Sequence, residues 1–375
     1  MHVAPSDVKR SASIVLTALS FGCSVIGCAV IGCADPPSSA VQGPGELPGG
    51  ALAAYPRPEY ATLIETGVYA DLESRTLADG LRGFAPSFVL WADGAEKQRW
   101  LALPSGSQID TSDMNRWQFP IGTRAVKEFS VNGVPLETRL VERYGTGRDD
   151  YWMGAFVWRE DQSDADFVEA GQEDVLGTAH DAPAQERCPA CHNGEPGRFL
   201  GVSALQLSTS ELSTSELSES ELSDASGAWT LESLGAEQRL SAPPEPGTRY
   251  APPGDETTRA ALGYLHANCG HCHNPRGTSW PDTQMLLRLN VEESAAEDTG
   301  LFRSVVGQSL QYYRAEAGTL RVVPGEPDAS ALIQRMDVRG PKEQMPPLAS
   351  EEIDPDGVLA IRRWIASLVP EPATP

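Results

Sequence analysis

Residues 124–158 read RAVKEFSVNGVPLETRLVERYGTGRDDYWMGAFVW. Asn132-Gly133 sits between Val131 and Val134, and Asn-Gly between apolar residues is a strong hairpin signal. Tyr144-Gly145-Thr146-Gly147 supplies a second turn. Thr138, Leu140 and Val141, and then Tyr151 to Trp158, read as strands on either side of it. Further out, the segment from Pro56 to Val175 is rich in Trp, Phe, Tyr and Val, with turn signals at short intervals. The pattern predicts a β-sandwich-like domain, a sandwich or a barrel, over residues 56–175, and its start, Tyr60 to Leu77, reads as helical or irregular.

The chain has 375 residues, 40% of them hydrophobic and 22% charged, which is enough for two or three domains. Its formal net charge is -23. Such a chain repels nucleic acid and anionic membrane surfaces, and it attracts a basic partner protein. Simple solubility explains the same charge.

The N-terminus reads as an export leader. Lys9 and Arg10 precede an apolar run from Ile14 to Ile31. Val25-Ile26-Gly27-Cys28 and Val30-Ile31-Gly32-Cys33 both look like a lipobox, in which apolar and small residues precede a cysteine lipidated after cleavage. Residues 1–33 are therefore expected to be a lipoprotein signal peptide, with Cys33 favoured over Cys28 as the lipidated residue. Cleavage before Cys33 also removes Cys23 and Cys28. The competing reading is a plain secretory signal or a retained anchor. A Pro-, Gly-, Ser- and Ala-rich tether over 34–55 follows, and the expected location is the periplasm or cell surface, anchored to a membrane by lipid.

Seven cysteines are present, three of them in the leader. The other four fall into two motifs, Cys188-Pro189-Ala190-Cys191-His192 and Cys269-Gly270-His271-Cys272-His273. Both are C-x-x-C-H, the attachment motif of c-type haem. Two thiols add to the two haem vinyl groups, and the next residue, His192 or His273, is held under the iron as proximal ligand. The expected cofactors are two c-type haems. The main competing reading is a split zinc site, which needs the two pairs close in space although 77 residues separate Cys191 from Cys269. A thioredoxin-like C-x-x-C lacks its βαβ surroundings.

Each iron also has a second axial position. For the second haem the candidate is Met345, in Gln344-Met345-Pro346-Pro347, where a stiff turn can present a thioether. Met336 falls in a helical pattern with Ala331 and Leu332 and reads as packing. For the first haem the candidates are His180, His266, His271, Met114 and Met153, with His180 in front. His266 precedes Cys269 by three residues on one helix, which disfavours it as a ligand of its own haem, and His271 reads as a motif spacer.

The remaining chain divides into a first haem-binding segment (176–206), a low-complexity and Pro-rich linker (207–253) and a small all-α domain (254–370). Leu207, Leu212, Leu217 and Leu222 recur every five residues, a period that builds neither a helix face nor a strand face. Asp255 is expected to cap a helix through Asn268, Asp328 a short helix through Met336, and Asp356 the last helix, where Ile361, Trp364, Ile365 and Leu368 keep helical spacing.

The C-terminal residues resemble the cytochrome c domain in the variant frequent in planctomycete-type multidomain proteins. They are Tyr264-Leu265-His266-Ala267-Asn268-Cys269 to His273-Asn274-Pro275, Val323-Pro324-Gly325-Glu326-Pro327 with Ser330 and Leu332, Met345-Pro346-Pro347, and Trp364-Ile365. That resemblance implies His273 and Met345 as iron ligands, and a crossing of the first and last helices in which Gly263 allows close approach. The longer chain, over about 58 to 370, is similar to a family of bacterial dihaem c-type cytochromes. The carrying residues are Trp91-Ala92-Asp93, Lys97, Arg99, Leu103-Pro104, Phe119-Pro120-Ile121-Gly122-Thr123, Lys127, Phe129, Glu137-Thr138-Arg139-Leu140 and Arg198 to Leu207. This family implies an exported dihaem protein and no particular substrate.

The expected fold class is therefore α+β multidomain: a β-sandwich-like domain, a haem-binding segment and an all-α cytochrome c-like domain. The expected function is electron transfer between redox partner proteins, with no catalytic residue assigned. The alternative is a haem redox enzyme, peroxidase- or dehydrogenase-like, with one open-coordinate haem and a substrate pocket lent by the β domain. No Ser-His-Asp, P-loop or H-E-x-x-H pattern offers other chemistry.

Overall fold

Asn132 and Gly133 take φ values of 52° and 74°, the left-handed pair that a two-residue hairpin turn requires. Strands β5 (Arg124–Val131) and β6 (Val134–Arg143) run back from this turn antiparallel, with one irregularity between Phe129 and Ser130. The structure, a computed structural model, describes residues 55–208, 227–311, 320–340, 343–348 and 350–369. All of them belong to one compact unit, Glu46–Pro375. Cys28, Cys33, residues 34–54 and the repeat leucines Leu212, Leu217 and Leu222 lie outside the described residues.

Six strands form one antiparallel sheet in sequence order: β3 (Leu81–Gly83), β4 (Glu96–Ala102), β5, β6, β7 (Tyr151–Trp158) and β8 (Ala165–Phe167). A two-stranded ribbon, β1 (Tyr69–Asp71) and β2 (Thr76–Leu77), precedes it. Side chains alternate between the two faces. On one face Val126, Leu140, Trp152, Phe156 and Trp158 meet Leu63 and Val68 of the preceding segment in a dry core. Burial of each of these large side chains stabilises by about 1.5–3 kcal/mol.

On the other face Leu101, Ala125 and Val141 join Phe119, Phe199 and Trp229 in a second core. Next to them stands a charged row. Arg99 lies opposite Lys127, and Lys127 opposite Arg139. The expected β-sandwich-like domain is absent among the described residues, because the face that a second sheet would have to cover carries cations along its middle. A sandwich needs apolar inner faces on both sheets. The result is a single six-stranded meander.

The expected all-α cytochrome c-like domain is overturned as well. The described residues are sheet-rich, with eight strands in two antiparallel sheets, and most of the described helices are short. Within 254–370 only Glu256–Asn268 and Pro355–Ser367 reach 13 residues, and the other described helices there have six or fewer. Pro275 and Pro324 lie outside helices and lack the backbone donor that helical continuation needs, while Pro281 and Pro327 sit in the first turn of two very short helices, Trp280–Thr283 and Pro327–Ala329. The intervening chain is irregular and makes isolated bridges, Val306 to Val322 and Ser309 to Leu320. Nor does this segment close its own core. Leu205 packs inside that core, and Tyr250 and Val291 pack against both it and the core beneath the sheet.

The linker region contributes to the core too. Leu207, Trp229, Leu231, Leu234 and Leu240 are buried. Trp229 donates its ring N–H to the Leu101 carbonyl at 3.0 Å, and Arg82 stacks on its ring at 3.6 Å.

Three local expectations resolve differently. Asp255 does cap Glu256–Asn268, accepting from Thr258 N–H at 2.8 Å. The last helix is capped by Asp354 rather than Asp356, with Pro355 in its first turn. Asp328 caps nothing; it pairs with Arg362 at 2.6 Å, and Ser330 occupies the N-cap position. The first and last helices do pack together, but the glycine at their contact is Gly357, where an added Cβ would run into the Tyr264 ring. Gly263 instead faces the Phe88 ring, with no room for a Cβ, and so admits the segment ahead of β4.

That segment straps onto the second motif helix. Trp91 N–H donates to Asn268 Oδ1 at 2.7 Å, and Asn268 Nδ2 donates to the Val89 carbonyl at 3.0 Å. Among the described residues no helix is long and apolar enough to cross a membrane.

Candidate functional site

A cavity of about 320 Å³ lies against the charged face of the sheet. Cys188, Cys191, His192, Cys269, Cys272 and His273 all line it, and so do His180 and Met345. Two motifs 77 residues apart in sequence thus share one space.

Local chemistry brings them there. The short helix Cys188–His192 carries Pro189 in its first turn, where no backbone donor is missed. The helix Glu256–Asn268 ends at Cys269, and the chain turns at Gly270, whose added Cβ would meet the His266 carbonyl at 2.5 Å. Gly194 allows the two motifs to touch, since a Cβ there would overlap the His271 carbonyl oxygen. Cys272 Sγ sits 3.5 Å from the Ala190 carbonyl, and Thr278 Oγ1 donates to the same oxygen at 3.3 Å. Glu195 and Arg288 pair across the junction.

Cys191, His271 and Cys272 bring their ligand atoms within 4.8 Å of one another. The closeness that the zinc reading demanded is therefore met. All four cysteines are free thiols. Burial pushes Cys188 up to about 11 and Cys269 up to about 12. Cys191 is held below the thiol range by the hydrogen bond from Cys272, and Cys272 is pushed above it by the same contact.

Both motif histidines are oriented in the same way. His192 Nδ1 lies 2.5 Å from the Arg198 carbonyl, so it must carry the proton, and Nε2 keeps its lone pair. His273 Nδ1 lies 3.3 Å from Thr283 Oγ1. That hydroxyl donates to the Ser279 carbonyl at 2.8 Å, so its oxygen accepts from His273 and again Nε2 is left free. Burial pulls both rings down to about 4, which keeps them neutral. An Nδ1–H anchored to a backbone or side-chain oxygen, with Nε2 presented, is how metal-ligating histidines are held.

The other candidates separate cleanly. Met345 lines the cavity, with its backbone N–H bound to the Arg335 carbonyl at 2.8 Å. Met336 also reaches the cavity wall but is buried in the core, as its helical spacing suggested. Met114 and Met153 pack against the core beneath the sheet and do not line the cavity. His266 is buried with Nδ1 accepting from Leu289 N–H at 3.0 Å, outside the cavity. Burial, with Arg288 and His271 nearby, pulls it down to about 3.

His180 lines the cavity, but its Nε2 is engaged by Glu137 Oε2 at 2.7 Å. Glu137 is fully buried and is also gripped by Arg139 at 2.6 and 2.8 Å. Burial raises the Glu137 carboxyl, yet the Arg139 charge and the His180 and Arg139 hydrogen bonds outweigh it and hold the group below the carboxylate range.

No family model, curated protein or solved structure matches this chain. The site must therefore be read from its own chemistry. Four thiols in two vicinal pairs, two neutral imidazoles offering Nε2 and one thioether meet the donor requirements of two c-type haems. Apolar walls from Phe199, Leu287, Leu332 and Val358 suit a macrocycle.

Sequence reading passed over two features. Met285 lines the cavity 12 residues after His273. Lys97, Arg99, Lys127 and Arg139 line it from the sheet. Their signal was present as basic residues at alternating strand positions, but which strands were neighbours was not.

Proposed function

We propose that the chain is an exported dihaem c-type cytochrome that transfers electrons between redox partners. The supporting observation is the convergence of both C-x-x-C-H motifs and Met345 on one cavity, with each motif histidine presenting Nε2. Cys188 and Cys191 would hold one haem, and Cys269 and Cys272 the other. His192 and His273 would ligate the two irons, and Met345 would add a thioether ligand to the second. Bound haem would supply a one-electron iron couple. The protein's contribution is to anchor both imidazoles through Nδ1 and to exclude water with apolar walls. Contact between the two motifs supports passage of charge within one molecule. A net charge of -23 favours basic redox partner proteins, and the leader supports lipid anchoring on the outer side of a membrane, in the periplasm or at the cell surface.

A second reading is a haem redox enzyme. His180 favours it, because its Nε2 is engaged by Glu137 at 2.7 Å. The first haem would then keep an open face, with His180 as an acid–base group beside it.

The test is mass spectrometry and optical spectroscopy of the full chain made in a host that matures c-type cytochromes. Two covalent haems, both low-spin and inert to carbon monoxide, support the electron carrier. Carbon monoxide binding at one haem favours the enzyme. A haem-free chain holding one zinc ion at Cys191, His271 and Cys272 overturns both.

A further inference from the structure

We propose that Arg99, Lys127 and Arg139, in line across β4, β5 and β6 with Lys97 beside them, form a binding site for a carboxylate group in the cavity. Like charges directly opposite on neighbouring strands destabilise a sheet. Here two such pairs share Lys127. Charges taken out of water also cost several kcal/mol each unless they are paired.

Among the described residues Lys127, at the centre of the row, has no carboxylate partner; burial and the Arg99 and Arg139 charges pull it down to about 7, and Cys191 nearby pulls the other way. Its neighbours have other commitments. Glu137 has both oxygens engaged by Arg139 and His180. Lys97 donates to the Leu90 carbonyl, and Arg99 reaches the Lys97 carbonyl at 3.4 Å. Of the three carboxylates on the cavity wall, Asp93 accepts from Glu351 and Glu352 N–H, Asp181 from Asp174 N–H and Asp354 from Gly357 N–H. Eight basic side chains line the same wall. The local balance is thus the reverse of the chain's -23, and it faces the cavity. The Arg139 fork is held by Glu137, so the Lys127 amine is the donor turned to the cavity, and a carboxylate bound there gains from the Arg99 and Arg139 charges on either side.

Two sources carry that group: the carboxylates of haem bound in the cavity, or a small free carboxylate. Only the first rests on the haem reading. The experiment compares the full chain with Lys127→Gln and Lys127→Arg, using acetate as the free probe. If haem is the source, Lys127→Gln shifts the haem carboxylate bands in the infrared and lowers the midpoint of one haem. Lys127→Arg restores both, and acetate binds neither protein. If the carboxylate is free, acetate binds the wild type in calorimetry, at least tenfold more weakly to Lys127→Gln, and the haem bands stay in place. No band shift and no acetate binding overturns the site. A chain that carries no haem removes the haem reading alone, and acetate binding then decides the site by itself. Arg99→Gln is the second variant should Lys127→Gln fail to fold, with the same expected losses.

Discussion

His192 Nδ1 lies 2.5 Å from the carbonyl oxygen of Arg198, so the ring is held as the tautomer whose Nε2 lone pair faces the cavity. His266, a buried histidine of the same chain, is held the other way, with Nδ1 accepting from Leu289 N–H. The two should respond differently to substitution. If the chain carries the two proposed haems, His192→Ala is expected to convert one of them to a high-spin spectrum while both stay attached through their cysteines. His266→Ala should leave the spectrum alone and cost about 1–3 kcal/mol of stability, the penalty for an unsatisfied buried N–H. Optical spectra and denaturant unfolding of both variants check this.

Met345 and Met336 make a second contrast. Both reach the cavity, but Met336 is embedded in the core and Met345 lies in the Pro-rich turn. If Met345 ligates a haem iron as proposed, Met345→Leu should abolish the weak long-wavelength sulfur-to-iron band and lower one midpoint. Met336→Leu, a swap of similar volume, should change neither and cost less than about 1.5 kcal/mol.

Glu137 governs acid stability. Its carboxyl is held below the ordinary range in the folded chain, so it contributes stability above the unfolded carboxylate pKa. That contribution is lost as pH falls through the lowered folded value. Glu137→Gln leaves Arg139 without its partner and should destabilise by about 3–5 kcal/mol at neutral pH. It should also flatten the fall in stability at acid pH. Equilibrium unfolding of both proteins from neutral to acid pH provides the comparison.

Gly263→Ala places a Cβ about where the Phe88 ring now sits. Overpacking of this kind costs about 1–3 kcal/mol. Phe88→Leu in the same chain should recover part of the loss, because it makes room at that contact. Thermal unfolding of the single and double variants measures the coupling.

Sequence alone determined what is written locally. Asn132-Gly133 specified its hairpin because only a few residues tolerate φ above zero, and β7 follows the apolar run Tyr151–Trp158 residue for residue. The two C-x-x-C-H motifs are legible through spacing along the chain, and the haem chemistry proposed for them rests on that spacing. Asp255 announced its helix because a cap acts within one turn.

Tertiary structure decided everything that depends on neighbours distant in sequence. Whether β5 and β6 belonged to a sandwich turned on what covers their charged face. No local pattern states that Arg99, Lys127 and Arg139 align, because register is set by pairing between strands. A proline-interrupted C-terminal segment that borrows Leu205 for its core could not be told from an independent helical domain by helix signals alone. The meeting of the two motifs at Gly194 and His271 is likewise a product of packing. Spacing in sequence reports the reach of the backbone over a few residues, whereas contact between segments is fixed by burial and shape across the whole fold.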